Sequence, residues 1–423
     1  MRIALLTYRG NPLSGGQGVY VHHLSRELVA LGHSVEVYSG PPYPDLVPGV
    51  RLVEVPSLDL YRPADPFRTP AWSELRGPLD VTEWLLMRQA RFPEPLTFSV
   101  RAARLLVPRA GEFDVVHDNQ GLGYGLLRVL HAGVPVLATV HHPITVDRDV
   151  ELEAATDPAR RRTIRRWYGF IAMQQRVLAR LPRLLTVSRS SARDLCARMG
   201  ARPEQLRVVP VGVDAQRFRP LPHVARVPGR LMTTASADVP LKGLVPLLEA
   251  LAKVRTERHA ELVICGAPRP GGRVPATIER LGLEDAVLIA GPVDTDRMVE
   301  LYASAEAAVV PSLYEGFSLP AIEAMACGLP LVTTTGGALP EVVGRSGETA
   351  LLVPPGDPGA LASALGQVLE DPLLRARLGA AGRARALGRY TWRATAEGTV
   401  AQYRQLLVSA PPGRGRRPGR GPS

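Results

Sequence analysis

Three cysteines, two lysines and no long apolar run set the first limits on this chain of 423 residues. Cys196, Cys265 and Cys327 stand alone in apolar surroundings without metal-ligand spacing, which fits reduced core residues and excludes a disulfide scaffold or a zinc module. No stretch approaches the roughly twenty apolar residues of a membrane-spanning helix. The opening Met1-Arg-Ile-Ala-Leu-Leu-Thr reads as a short buried strand, too brief for a secretory signal, so a soluble cytosolic protein is expected. No Gly-Lys-Ser/Thr follows the glycine-rich stretch after that strand, which excludes a P-loop, and no nucleic-acid module signature is present. Of 51 basic residues only Lys242 and Lys253 are lysines. Lys253 reads as a surface residue of a helix. Lys242, in Pro-Leu-Lys-Gly-Leu just after a predicted strand, is where a compact charge on a flexible stem matters.

What is there is a two-part α/β pattern. The length exceeds what one core serves, and 45% hydrophobic residues can fill two. Short strands alternate with amphipathic helices, the mark of parallel α/β layers. Strands are expected at 2–7, 34–38, 114–117, 134–140, 184–187 and 207–211, then at 230–234, 261–265, 287–290, 307–310 and 329–333. The first domain is predicted over 1–211, with a proline- and aromatic-rich insertion at 43–112. A linker at 212–228 leads to a second doubly wound domain over 229–390, closed by helices near 358–370 and 372–388. A helix at 391–410 is expected to pack back on the first domain, and 411–423 is a disordered basic tail. In paired sheets of this kind a ligand binds in the interdomain cleft facing their carboxyl ends.

The net charge is +11, and residues 160–183 hold eight arginines against no acid. Beside Trp167, Tyr168 and Phe170 they form a mixture suited to an anionic membrane surface, although a merely solvated helix face is the favoured reading. An acidic partner is compatible with this charge; specific nucleic-acid binding is not expected.

The most informative segment is Glu315-Gly-Phe-Ser-Leu-Pro-Ala-Ile-Glu323. Ser318 suits a helix cap and proline its first turn, so the free backbone amides at that helix start offer positive potential to a phosphate. Glu323, a turn inside the helix, can accept from ribose or sugar hydroxyls, and Glu315 with Gly316 approaches from the loop. Ser14-Gly15-Gly16-Gln17-Gly18 follows the first strand, and its glycines permit positive φ or a close approach of backbone to ligand. His141 and His142 end the strand 134–140, and neighbours on an extended chain point to opposite sides, so one of them serves a site. A metal site joining them to Asp147 and Asp149 is a weaker alternative. Asp294-Thr-Asp296 is better explained as a helix cap than as a metal clamp. Gly336-Gly-Ala-Leu-Pro-Glu341 forms a second anion-tolerant turn, unless Glu341 only stabilises its own helix.

Together these motifs resemble the retaining glycosyltransferases of family 4, with the GT-B architecture of two facing Rossmann-like domains. The resemblance spans most of the chain and is densest over 230–343. It implies a nucleotide-diphosphate sugar as donor substrate, with no further cofactor and no metal. By resemblance Glu323 binds the donor ribose, Glu315 the transferred sugar, and Phe317, Ser318, Leu319 and Lys242 the diphosphate. Gly15 and Gly16 meet the donor phosphate, and His141 sits beside the transferred sugar. Catalytic roles fall to His141, Glu315 and Lys242. The acceptor stays open, with anionic and lipid-linked acceptors both compatible with the basic aromatic helix, and so does peripheral contact with the inner membrane face. The family commonly carries an arginine where Ser236 or Ala237 stands, and an asparagine where Val211 stands. A nucleotide-sugar 2-epimerase of similar fold and a degenerate, non-catalytic nucleotide-sugar-binding protein are the alternatives.

Overall fold

A computed structural model describes residues 1–11, 16–62, 64–234, 239–268 and 271–409. Gly15, Ser236, Ala237 and the basic tail lie outside the described residues. The chain divides into two compact units. One comprises Met1–Val187, Ala192–Val209 and the residues from Ala396 onward; the other comprises Ser188–Ser191 and Pro210–Thr395.

The N-terminal unit is built on seven parallel strands: β1 (Arg2–Thr7), β2 (Ser34–Ser39), β3 (Val50–Glu54), β4 (Val115–Asn119), β5 (Val136–Val140), β6 (Arg183–Thr186) and β7 (Leu206–Val208). Their order in the sheet is β3-β2-β1-β4-β5-β6-β7. Central strands are buried along their length, as sheets covered on both faces require, and β4 and β5 have no exposed position. Ile3, Val116, Val136, Ala138 and Leu184 carry at most 1% exposure. Each fully buried aliphatic side chain of this kind contributes roughly 1.5–3 kcal/mol. The sequence pattern foresaw the other strands to within a few residues but missed β3. Its Val-Arg-Leu-Val-Glu lies at the sheet edge with no fully buried position, inside the stretch read as an insertion.

The C-terminal unit has six parallel strands: β8 (Arg230–Thr234), β9 (Glu261–Cys265), β10 (Val287–Gly291), β11 (Ala307–Val310), β12 (Leu331–Thr334) and β13 (Leu351–Val353). They are ordered β10-β9-β8-β11-β12-β13. The three-residue β13 escaped the sequence pattern because it is too short to show a period. Leu247, Leu248, Leu262, Ile264 and Leu365 are fully buried between this sheet and its helices.

Each sheet reverses its winding once, between β1 and β4 in the first and between β8 and β11 in the second. At such a point the loops leaving two neighbouring strands diverge and open a crevice at their carboxyl ends. Asn119 ends β4, and Pro311 to Glu315 follow β11, so both stand at these reversals, while the expected His141 follows β5, one strand further along the sheet.

Candidate functional site

In the C-terminal unit, the loop after β11 gathers the charged groups. Lys242 Nζ donates to Glu315 Oε1 at 2.8 Å, and Ser312 Oγ donates to the same oxygen at 2.7 Å. The Glu315 side chain keeps 11% of its exposure and Lys242 keeps 29%, so the ammonium is the more accessible partner. Ser312 was not foreseen; its place at the end of β11 was the available signal.

The glycine turn after β12 holds this loop from behind. Ala338 donates its amide to the Glu315 carbonyl at 2.8 Å. Gly337 has φ +61°, and a Cβ there would lie 2.3 Å from that carbonyl oxygen; at Gly336 it would lie 2.5 Å from the Leu313 oxygen. Only glycine satisfies both the left-handed backbone and the contact at Gly337. The motif 336–341 therefore supports the Glu315 loop. Glu341 neither faces an open turn nor serves its own helix alone: both its oxygens accept the Arg189 amide, at 3.1 and 2.9 Å.

Ser318 caps the helix Leu319–Ala326, accepting from the Ala321 amide at 3.4 Å. It does so at φ +97°, a conformation side-chain-bearing residues rarely adopt, which stores on the order of 1–3 kcal/mol of backbone strain. The Gly316 carbonyl just before it accepts from Ser188 Oγ at 2.7 Å and Ser191 Oγ at 3.0 Å, which pins the loop at the strained point. Phe317 is 7% exposed and meets the Tyr390 ring edge-on at 5.4 Å. Glu323 is part-buried about one turn into this helix. Desolvation there raises its carboxyl from 4.5 to about 7. A carboxylate poised so gains most when a ligand hydroxyl donates to it.

The N-terminal unit presents neutral groups instead. His141 Nε2 donates to the Asn119 side-chain oxygen at 2.7 Å, and its backbone amide donates to Gln120 Oε1 at 2.7 Å. Tyr20 meets the His141 ring edge-on with centroids 4.7 Å apart. Burial, with a smaller contribution from His142, drops the His141 imidazole to about 3, so it is uncharged near neutral pH. His117 is likewise held near 3 by burial, between Tyr403 and Thr139 at 2.6 and 2.7 Å. His142 points elsewhere and pairs with Asp147 at 2.8 Å, while Asp149 pairs with Arg148 and Arg198. Of the four residues of the alternative metal site, only His142 and Asp147 meet each other, and among the described residues no group of three or more His, Cys, Asp or Glu side chains could hold an ion. Gly16 opens the helix Gly16–Ala30 on the solvent side; it lacks a positive φ, and a Cβ there would meet nothing within 4 Å.

Two further expectations resolve simply. Asp294 accepts from the Arg297 amide at 2.8 Å, as a cap does. Val211 is 5% exposed, and its neighbour Gly212 packs against the backbone of Thr391 and Trp392. The aromatics of the basic helix do not share an exposed face with its arginines. Trp167 packs on Phe92 at 5.2 Å and Tyr61 at 5.5 Å, and Tyr168 is buried. Among the described residues no helix is long and apolar enough to cross a membrane.

The chain was compared with known proteins. The model of Glycosyltransferase Family 4 matches residues 14–217, and that of Glycosyl transferases group 1 matches residues 228–371. A relative named MMP alpha-(1->4)-mannosyltransferase, from Mycolicibacterium hassiacum, is 53% identical over 96% of this chain and 99% of its own. A D-inositol 3-phosphate glycosyltransferase of Acidothermus cellulolyticus is 32% identical over 96% of this chain and 91% of its own. The solved sucrose-phosphate synthase of Thermosynechococcus elongatus superposes with a TM-score of 0.73 at 25% identity, covering 96% and 99% of the two chains. These similarities favour transfer over epimerisation. With two parallel Rossmann-like sheets, both family models and a 53% identical transferase in agreement, this chain belongs to glycosyltransferase family 4 and is a GT-B glycosyltransferase of the hexosyl-transferring type.

Proposed function

We propose that the enzyme transfers a mannosyl unit from a nucleotide-diphosphate mannose to a saccharide hydroxyl, forming an α-(1→4) bond with retention of configuration. The observation that carries the donor assignment is the Lys242 ammonium, 2.8 Å from Glu315 at the winding reversal of the C-terminal sheet. The sugar and linkage rest on the 53% identity to an enzyme of that name.

Breaking the bond between sugar and diphosphate leaves negative charge on the departing oxygens and positive charge on the ring. Lys242 and the amides of Phe317, Ser318 and Leu319 meet the negative charge, with Gly16 and Gly15 contributing from the first loop. Glu315 holds the transferred sugar and keeps Lys242 in place, and Glu323 accepts from the ribose hydroxyls. His141, neutral, hydrogen-bonds a hydroxyl of the transferred sugar. No metal enters this scheme, because the diphosphate charge is assigned to Lys242 and backbone amides. An α-linked donor that yields an α-glycoside has kept its configuration, and same-face attack, with the leaving phosphate oxygen taking the acceptor proton, accomplishes this without a separate base.

The test is a thermal-shift series with GDP, UDP and ADP and their mannose and glucose conjugates, followed by product analysis with short mannosides. A nucleotide at a hundred times its Kd adds about 2.7 kcal/mol of stability. One conjugate that stabilises the wild type and yields an α-linked product supports the assignment. An isomerised sugar nucleotide formed without acceptor overturns it, and binding without turnover favours the degenerate alternative.

A further inference from the structure

We propose that an aromatic cavity in the N-terminal unit is the acceptor subsite, and that it selects an uncharged sugar ring over a phosphorylated one; the proposal rests on the transferase function above. The cavity encloses about 130 Å3 between Tyr8, Phe92, Trp167 and Phe170, with Gln120 and Gln174 among its lining residues. Phe92 meets Trp167 at 5.2 Å with planes 34° apart and Phe170 at 5.5 Å with planes 63° apart, so the rings form a cup rather than a flat stack. A pyranose has C–H faces that suit such rings and hydroxyl edges that suit amides.

Gln120 links the cup to the reaction centre. Its oxygen accepts the His141 amide at 2.7 Å, and its nitrogen donates to the His142 carbonyl at 3.1 Å. Gln120 sits at φ +59°, and Gln174 holds it there by donating to the carbonyls of Gln120 and Gly121 at 3.3 and 3.2 Å. A ring seated against Gln120 is thereby positioned relative to His141 by a single side chain.

Among the described residues, no charged one lines the cavity. The arginine beside it, Arg9, lies over Phe92 and Tyr61 with 5.9 and 5.3 Å to their centroids. Two of its guanidinium nitrogens are engaged by Glu94, Nε at 2.6 Å and Nη2 at 2.8 Å, and the Glu94 side chain is only 7% exposed. A phosphate that recruited Arg9 would strand that buried carboxylate, a costly exchange. A neutral ring leaves the pair intact.

Binding of methyl α-D-mannopyranoside, α-(1→4)-mannobiose and D-inositol 3-phosphate to the full chain, followed by saturation-transfer NMR and calorimetry, tests this. The neutral mannosides are expected to bind the wild type more tightly than the inositol phosphate. In Trp167→Ala and Phe170→Ala the mannobiose Kd and acceptor KM should rise roughly tenfold, about 1.4 kcal/mol, while kcat changes far less and Trp167→Phe recovers most of the loss. The nucleotide-induced thermal shift reports folding of each variant and donor binding independently of the acceptor. A wild type that shows no nucleotide shift overturns the nucleotide-sugar donor reading on which the proposal rests. A normal nucleotide shift with mannobiose binding changed less than twofold in both variants overturns the subsite, as does tighter binding of the inositol phosphate.

Discussion

The loop from Glu315 to Glu323 follows β11 and Asn119 ends β4, each at the winding reversal of a parallel sheet, with His141 on the neighbouring strand β5, yet the chemistry of the two regions is opposite. The first holds an ion pair, a carboxyl raised to about 7 and a strained helix start. The second holds imidazoles pressed to about 3, amides and aromatic rings. A glycosyl transfer needs both kinds of environment. In the proposed reaction charge develops on a diphosphate, whereas the acceptor hydroxyl must be oriented without a cation that would compete for it. The same architecture, used twice, serves two chemistries because the loops rather than the strands carry the site.

If the charge of the reaction is borne by the C-terminal unit, Lys242→Ala should have the largest effect. A loss of about 10²–10³ in kcat/KM is expected, as for removal of one group stabilising a developing anion. Initial rates at varied donor concentration measure it, and Lys242→Arg should recover little because the planar guanidinium replaces a point charge. A smaller loss in Lys242→Ala than in His141→Asn would reverse the comparison. The second effect compares two glycine loops. Gly337→Ala places a methyl 2.3 Å from the Glu315 carbonyl at φ +61° and is expected to cost about 2–4 kcal/mol, lowering Tm by several degrees. Gly16→Ala meets open space and should stay within about 0.5 kcal/mol by the same calorimetry.

The two regions also differ in how far the sequence reveals them. Residues 315–323 are contiguous: cap, first-turn proline and both glutamates fall within one loop-helix junction, where local rules apply. The strand pattern was similarly open to reading, because buried parallel strands are continuous apolar runs; the edge strand β3 and the short β13 lack that signal. The N-terminal site is assembled from distant segments. Gln120 and Gln174 are 54 positions apart, and neither residue type marks a site. Trp167 suggested a membrane surface beside its arginines, and only its contacts with Phe92 and Tyr61 identify the cup. The role of Glu341 was hidden for the same reason, since its partner Arg189 lies 152 residues away.

A smaller effect concerns Glu323. Because burial raises its carboxyl from 4.5 to about 7, the native state holds a proton that the unfolded chain has released between those values. Stability of the unliganded protein therefore falls as pH rises through that window. Donor binding has the opposite slope. In the role proposed for Glu323 ribose hydroxyls donate to the ionised form, so donor affinity should climb up to about tenfold per pH unit below about 7 and level off above. Glu323→Gln should flatten both curves in thermal shifts from pH 5 to 8.5.

The smallest effect concerns the neutral side of the comparison. His141 in an ordinary environment would change charge near 6.5 and impress a step on the pH dependence of kcat. Held at about 3, it stays uncharged from pH 5 upward, and its donation to Asn119 at 2.7 Å persists across that range. The expected kcat profile at saturating donor therefore has no His141 step, and His141→Asn lowers its height, by about tenfold for one lost hydrogen bond near the reacting sugar, without changing its shape. A step near 6.5 in the wild type that disappears in His141→Asn would show the imidazole charging during turnover. The division of charged and neutral work between the two units would then fail at its N-terminal end, while the assignments of Lys242 and Glu323 would stand on their own measurements.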